Sequence, residues 1–186
     1  MTHCVWCGDD PINVAYHDTE WGVPEHDDQA LYEKLCLEGF QAGLSWIIVL
    51  KKRENFRKAF KNFDPEKIAR FGKRDFNRLL NDTGIIRSKS KIEGAITNAK
   101  AWLEVMEQGE GSFNYFLWKH VNHKTIVNSW KNDAWIPAQS VESVSMTKDL
   151  KKHGFKFVGP TICYAFMQAV GMVNDHVVTC PRYKEV

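Results

Sequence analysis

No apolar run in the chain approaches the roughly 20 residues that a membrane span requires. The opening Met1-Thr2-His3-Cys4 lacks the basic-then-apolar pattern of a secretory signal. A cytoplasmic protein with no membrane partner is therefore expected. Internal repeats and low-complexity tracts are missing, which excludes solenoids and disordered arms. Strand-like alternation is nearly missing as well, and an all-α fold follows. Cysteine is sparse and odd in number, at positions 4, 7, 36, 163 and 180. A disulfide framework is not expected from that set in a reducing compartment. Cys36 and Cys163 fall in apolar helical patterns and read as small core residues.

Apolar residues make up 44% of the 186, enough to build a core. The length suits one domain, residues 1–186. Net charge is only +2, which does not by itself mark a nucleic-acid binder. The total hides an asymmetry, because residues 1–50 sum to −8 and residues 51–100 to +9. Either the basic middle tracks phosphate, or its charges lie on solvated helix faces.

Helical periodicity dominates. Asp27 or Asp28 caps a helix running to about Ala42, with Leu31, Leu35, Glu38 and Ala42 on one stripe. Ser45 opens the next helix, with Trp46, Val49, Leu50, Phe56 and Phe60 inward and Lys51, Lys52, Arg53, Arg57 and Lys58 outward. Asp64-Pro65 is an N-cap followed by a first-turn proline. Further helices are expected over 74–81, over 90–108 with Gly109 as the stop, and over 113–121 after Ser112. Residues 122–140 show no period and read as loop. Helices then follow over 145–153 and 161–170.

Between those last two helices lies Gly154-Phe155-Lys156-Phe157-Val158-Gly159-Pro160. This is a helix, a tight hairpin and a helix, at about 145–170. The first N–H groups of a helix starting at Pro160 have no intrahelical partner and suit an anion such as a DNA phosphate. Gly159 permits close backbone approach. Lys151, Lys152 and Lys156 add charge beside it. An ordinary helix connection accounts for the same residues.

Glu38 is the anomaly of its stripe, since a carboxylate on an apolar face is costly to bury unless paired or functional. Seven tryptophans are present, three of them (Trp6, Trp21 and Trp46) before residue 47. An aromatic box with one carboxylate suits a flat cationic ligand, through stacking, cation–π attraction and hydrogen-bond acceptance. A core glutamate paired with a basic residue is the plainer reading. His176-Val177-Val178-Thr179-Cys180 places two potential ligands at i, i+4. With Cys4 and His17 they form a Cys2His2 set, suited to a closed, structural zinc site that ties the two ends together. Cys4-x-x-Cys7 is a competing pair.

Several segments in order resemble the bacterial 3-methyladenine DNA glycosylase I family. They are Cys4-Val5-Trp6-Cys7, Tyr16-His17-Asp18-Thr19-Glu20-Trp21-Gly22-Val23-Pro24, Leu37-Glu38-Gly39-Phe40-Gln41-Ala42-Gly43-Leu44-Ser45-Trp46 and Lys51-Lys52-Arg53-Glu54-Asn55. Gly84-Ile85-Ile86-Arg87, Asn122-His123, Gly154–Thr161 and Val173-Asn174-Asp175-His176 complete the series. The resemblance spans residues 4–180. It implies a helix-hairpin-helix glycosylase fold, with termini 1–24 and 172–186 forming a zinc-linked lobe. It implies a monomer acting on alkylated double-stranded DNA, hydrolysing the N-glycosidic bond of 3-methyladenine and releasing the free base, the first step of base excision repair. Zinc is implied on Cys4, His17, His176 and Cys180, in preference to a set using Cys7. Tyr16 and Glu38 are implied to hydrogen-bond the extruded base and Trp46 to stack on it, with Trp6 and Trp21 walling the pocket and Glu38 as the catalytic group. Gly159 and Thr161, with Lys156 nearby, are the implied DNA contacts.

The chain departs from the wider superfamily in two places. Thr161 stands where bifunctional relatives carry a lysine nucleophile, so strand cleavage through a Schiff base is not expected. The usual catalytic aspartate has no unambiguous counterpart, and neither Asn174 nor Asp175 is assigned that role. Asp175 is instead expected to support the adjacent His176. Two alternatives are a zinc-stapled DNA-binding module without catalysis and a zinc hydrolase. The second needs an open coordination position, which four protein ligands would not leave.

Overall fold

The computed structural model describes residues 3–108 and 111–186. It is mostly helical. Helix α1 (Pro11–Thr19) leads to α2 (Asp28–Gln41) and α3 (Trp46–Ala59). Four shorter and longer helices follow, α4 (Pro65–Ala69), α5 (Lys73–Asn81), α6 (Lys89–Glu107) and α7 (Phe113–Trp118). The chain closes with α8 (Val141–Lys152) and α9 (Pro160–Ala169). Asp27 caps α2 by accepting from Ala30 N at 2.8 Å, and Asp64 caps α4, whose first residue is Pro65, by accepting from Lys67 N at 3.1 Å. Ser45 is the N-cap of α3 but makes no side-chain capping bond. Gly109, expected to stop α6, lies outside the described residues.

Two expectations need correction. Helix α8 starts at Val141 and not at 145, because Ser140 and Ser143 cap each other. Ser143 N donates to Ser140 Oγ at 3.2 Å and Ser140 N donates to Ser143 Oγ at 2.9 Å. The stretch 122–140 is not all loop either. Ile126–Val127 (β1) pairs in parallel with Val173–Asn174 (β2), and Asp133–Trp135 makes a turn of 3-10 helix. Such short elements carry no periodic signal.

The opposite charges of the first two segments meet each other. Lys51 pairs with Asp10 at 2.6 Å, Arg53 grips Glu20 through two bonds of 2.6 and 2.8 Å, and Arg57 pairs with Glu33 at 2.8 Å. Lys52 donates to the carbonyls of Thr83 and Gly84, and Lys91 to those of Phe40 and Ala42. Five of the fifteen basic residues in 51–100 thus tie α3 and α6 to their neighbours, while the other ten, Lys58 and Arg70 among them, stay exposed. Arg53 and Arg57 are half-buried, against the expectation that they face water.

The hairpin between α8 and α9 is fixed from below. Asn98 of α6 clamps Lys156 by accepting from its N–H at 2.7 Å and donating to its carbonyl at 3.0 Å. Phe157, with φ of +56°, drives its ring against Gly94. A Cβ at Gly94 would lie 2.7 Å from the Phe157 ring, and one at Gly39 of α2 would lie 3.2 Å from Phe157 Cβ. Gly94→Ala is thus expected to destabilise the fold by about 1–3 kcal/mol through overpacking. Chemical denaturation would check this, and an unchanged midpoint would show that Phe157 is not tightly seated.

Candidate active site

Helices α1, α2, α3 and α9 bring an aromatic cleft of about 270 Å³ together. Tyr16 comes from α1, Glu38 and Gln41 from the end of α2, Trp46 from the start of α3, and Ala165 and Gln168 from α9. Trp6 and Trp21 supply one wall, and Asp133 and Ile136 from the 3-10 turn region supply another. The rings interlock, with Trp6 and Trp21 centroids 4.8 Å apart and Tyr16 and Trp46 5.2 Å apart. All five residues expected to bind the base therefore line one recess.

Glu38 is buried, with 5% of its surface exposed. Burial pushes its carboxyl up to about 8, with the Lys34 ammonium one turn earlier in α2 opposing the shift. Tyr16 is raised well above an ordinary phenol, first by burial and then by Glu38. Trp6 Nε1, Trp46 Nε1 and Asp133 Oδ1 are buried and find no protein partner among the described residues. The cleft so presents flat aromatic faces, an ionisable carboxyl and unpaired polar atoms, the chemistry of a planar ligand that carries positive charge and hydrogen-bonding edges.

A second recess of about 310 Å³ opens from the first, sharing Glu38, Gln41 and Ala165. It reaches Gly43, Leu44 and Thr161 and so joins the cleft to the hairpin side of α9. Thr161 and Lys156 are exposed there. Gly159 is the N-cap of α9, with an ordinary φ of −68°, and a Cβ on it would meet nothing within 4 Å. The backbone conformation does not require glycine at that position, and the open space beside it is on the outside.

Across Trp21 from the cleft, Cys4, His17, His176 and Cys180 bury their ligand atoms within 4.8 Å of one another. Cys4 Sγ lies 3.6 Å from His176 Nδ1, and Cys180 Sγ lies 3.7 Å from both His17 Nε2 and His176 Nδ1. A tetrahedral zinc, with nitrogen near 2.0 Å and sulfur near 2.3 Å, spaces N and S ligands about 3.5 Å apart. The remaining ring nitrogens are occupied in the manner a metal site needs. His17 Nδ1 lies 2.7 Å from Asp18 Oδ1, and His176 Nε2 lies 3.1 Å from the Trp21 carbonyl. Cys7 stays outside the cluster, its thiol donating to the Cys4 carbonyl at 3.0 Å.

Asp175 does not support His176 as expected. Its carboxylate accepts from Asn128, Trp130, Tyr164 and Gln168. Asn174 is buried too, donating to the carbonyls of Tyr183 and Val186. Neither residue faces the cleft directly, and the support of the histidines falls to Asp18 and a backbone carbonyl.

A family model described as methyladenine glycosylase matches residues 6–183. The chain belongs to the methyladenine glycosylase family. It is 53% identical over 183 residues to DNA-3-methyladenine glycosylase 1 of Escherichia coli (strain K12), covering 98% of this chain and 97% of that protein. A crystal structure of 3-methyladenine DNA glycosylase I superimposes with a TM-score of 0.94 at 52% identity, over 97% of this chain and 98% of that one. A structure addressing 3-methyladenine recognition by the Staphylococcus aureus enzyme aligns with a TM-score of 0.92 at 37% identity, over 96% and 94% of the two chains. Among described residues, no helix is long and apolar enough to cross a membrane.

Within this family frame, sequence reasoning missed Gln41, Asp133, Ile136, Ala165 and Gln168 as cleft residues. A signal existed for two of them. Ala165 and Gln168 follow Thr161 at i+4 and i+7, so they share its helical face. Asp133 and Ile136 lie in a segment without period and offered none.

Proposed function

We propose that the protein is a monofunctional DNA glycosylase, one domain over residues 1–186 acting as a monomer. It hydrolyses the N-glycosidic bond of 3-methyladenine in alkylated double-stranded DNA, the first step of base excision repair. The observation that carries this reading is the buried carboxyl of Glu38 inside an aromatic cleft. The damaged nucleotide is cationic and, once unpaired, flips out at lower cost than an intact one. Trp46 stacks on the extruded base, Tyr16 and Glu38 hydrogen-bond it, and Trp6 and Trp21 wall the pocket.

The chemistry follows from the charge. The N-glycosidic bond breaks with its electron pair going to the base, which leaves as neutral 3-methyladenine and so needs no protonation. Water forms the new C–O bond at the sugar carbon and gives its proton to solvent. Glu38 contributes by favouring positive charge where the base and then the sugar carry it. Thr161 cannot form a Schiff base, so the strand stays intact at this step.

Cys4, His17, His176 and Cys180 would hold a structural zinc, with all four coordination positions filled by protein. It would supply cohesion between the chain ends and no open position for substrate. Gly159 and Thr161 would bring the unpaired N–H groups of α9 to a phosphate, completing a helix-hairpin-helix contact, with Lys156 beside them. Lys156→Ala is expected to weaken DNA binding evenly across sequences. It should also reduce the slope of log K against log salt by about 0.9, measured by fluorescence anisotropy. An unchanged slope would remove Lys156 from the interface.

Incubation with methylated duplex DNA, followed by chromatography of released bases, tests the proposal. Free 3-methyladenine with intact strands is the expected result. Retained DNA binding without release would leave only a binding module.

A further inference from the structure

We infer that Gln168 is a specificity-determining residue of the cleft. Its side-chain carbonyl accepts a hydrogen bond from the exocyclic amino group of the bound base, and Asp175 fixes it in that orientation. The inference rests on the function proposed above.

Asp175 is fully buried. Four donors surround its carboxylate, two on each oxygen. Asn128 Nδ2 and Trp130 Nε1 reach Oδ1 at 2.7 and 2.6 Å, and the Tyr164 hydroxyl and Gln168 Nε2 reach Oδ2 at 2.7 and 2.8 Å. A carboxylate so placed accepts only. The amide of Gln168 therefore has no freedom to turn, because its carbonyl oxygen would otherwise face the carboxylate. With one Nε2 hydrogen committed to Asp175, the acceptor that Gln168 keeps for a ligand is Oε1. Gln168 lines the same cleft as Glu38, and Oε1 has no partner among the described residues.

Two acceptors, the Glu38 carboxylate and Gln168 Oε1, match the two N–H bonds of an adenine-type amino group. A 6-oxo purine in the same pose would set a lone pair against Oε1, and rejecting a mismatched polar group is the stronger form of discrimination. The amide, unlike the carboxylate, keeps this preference whatever the protonation of Glu38.

Binding of free bases, followed by quenching of the cleft tryptophans, tests the inference. The probes are 3-methyladenine, 3-methylpurine, which lacks the amino group, and 3-methylhypoxanthine, which carries oxygen there. Wild-type protein should bind 3-methyladenine best and 3-methylhypoxanthine worst, with loss of the amino group costing about tenfold. In Gln168→Met, 3-methyladenine should weaken by about the same factor, and removing the amino group should then cost clearly less than in wild type. An equal cost in both proteins overturns the inference, since Gln168 would not touch the amino group. If Gln168→Met does not fold, Gln168→Ala takes its place, and an amino-group cost equal to that of wild type again overturns the inference. In Asp175→Asn the amide is released to turn, and the penalty against 3-methylhypoxanthine should shrink. An undiminished penalty there overturns the positioning role of Asp175. Failure of wild-type protein to bind 3-methyladenine at all would instead overturn the proposed function.

Discussion

Glu38→Gln is expected to lower single-turnover excision of 3-methyladenine by roughly 100- to 1000-fold, the usual loss when one preorganised electrostatic group is removed from a reaction centre. The substitution keeps the shape of the side chain and removes only its capacity for negative charge. In the free protein burial holds the carboxyl near 8, so it is mostly neutral at pH 7. A cationic base entering the cleft favours the ionised form, and binding therefore expels a proton. Excision efficiency should rise by about tenfold per pH unit up to about 8 and then level off. In Glu38→Gln this rise should vanish. A variant with wild-type rates, or with the same pH slope, would show that the carboxyl does not serve the reaction.

The same residue sets a stability trade. An unfolded glutamate titrates near 4.5, well below the folded value of about 8. Between those values the folded state holds a proton that the unfolded state has lost. Stability attributable to Glu38 thus falls as pH rises from about 4.5 to about 8 and changes little beyond. Glu38→Gln, neutral throughout, should melt higher than wild type at pH 8 while being nearly inactive. That combination separates a functional burial from a structural one.

Some of this site was written in the sequence and some was not. Glu38 stood out because it broke an apolar stripe, and the hairpin because Gly154 and Pro160 punctuate helices at fixed offsets. Gly154 does adopt a positive φ of +85°, as a helix stop requires. The Cys and His ligands were legible as residue types, and the family resemblance already preferred Cys4 to Cys7, which the structure keeps outside the cluster. Charge was the least transparent. Sums over segments left a phosphate-tracking face and solvated helix faces both open, and neither foresaw that Lys51, Arg53 and Arg57 find Asp10, Glu20 and Glu33 when α1, α2 and α3 pack. Gln168 was hidden for a similar reason, since its role depends on a carboxylate seven residues away that folding turns towards it.

Cys180→Ser is expected to lose the metal and most of its thermal stability. Structural zinc sites bind with apparent free energies of about 10–16 kcal/mol in small peptides. A domain's whole stability is only about 5–15 kcal/mol. Removing one thiolate ligand should therefore lower the melting temperature by more than about 10 °C, or leave the protein unfolded at 37 °C. Metal analysis should give about one zinc per chain for wild type and far less for the variant. Cys7→Ser is the control, because its thiol lies outside the cluster. It should keep both metal and melting point. A Cys180→Ser protein that melts like wild type would mean the cluster holds no structural metal. The effect should also reach the base cleft. The Trp21 ring packs edge-on to His176 at 4.6 Å and stacks on His17 at 6.2 Å, and Trp6 packs on both Trp21 at 4.8 Å and His17 at 5.6 Å. The wall of the cleft is thus built on the histidines of the cluster. Any folded Cys180→Ser that survives should bind 3-methyladenine more weakly than wild type, while Cys7→Ser should not.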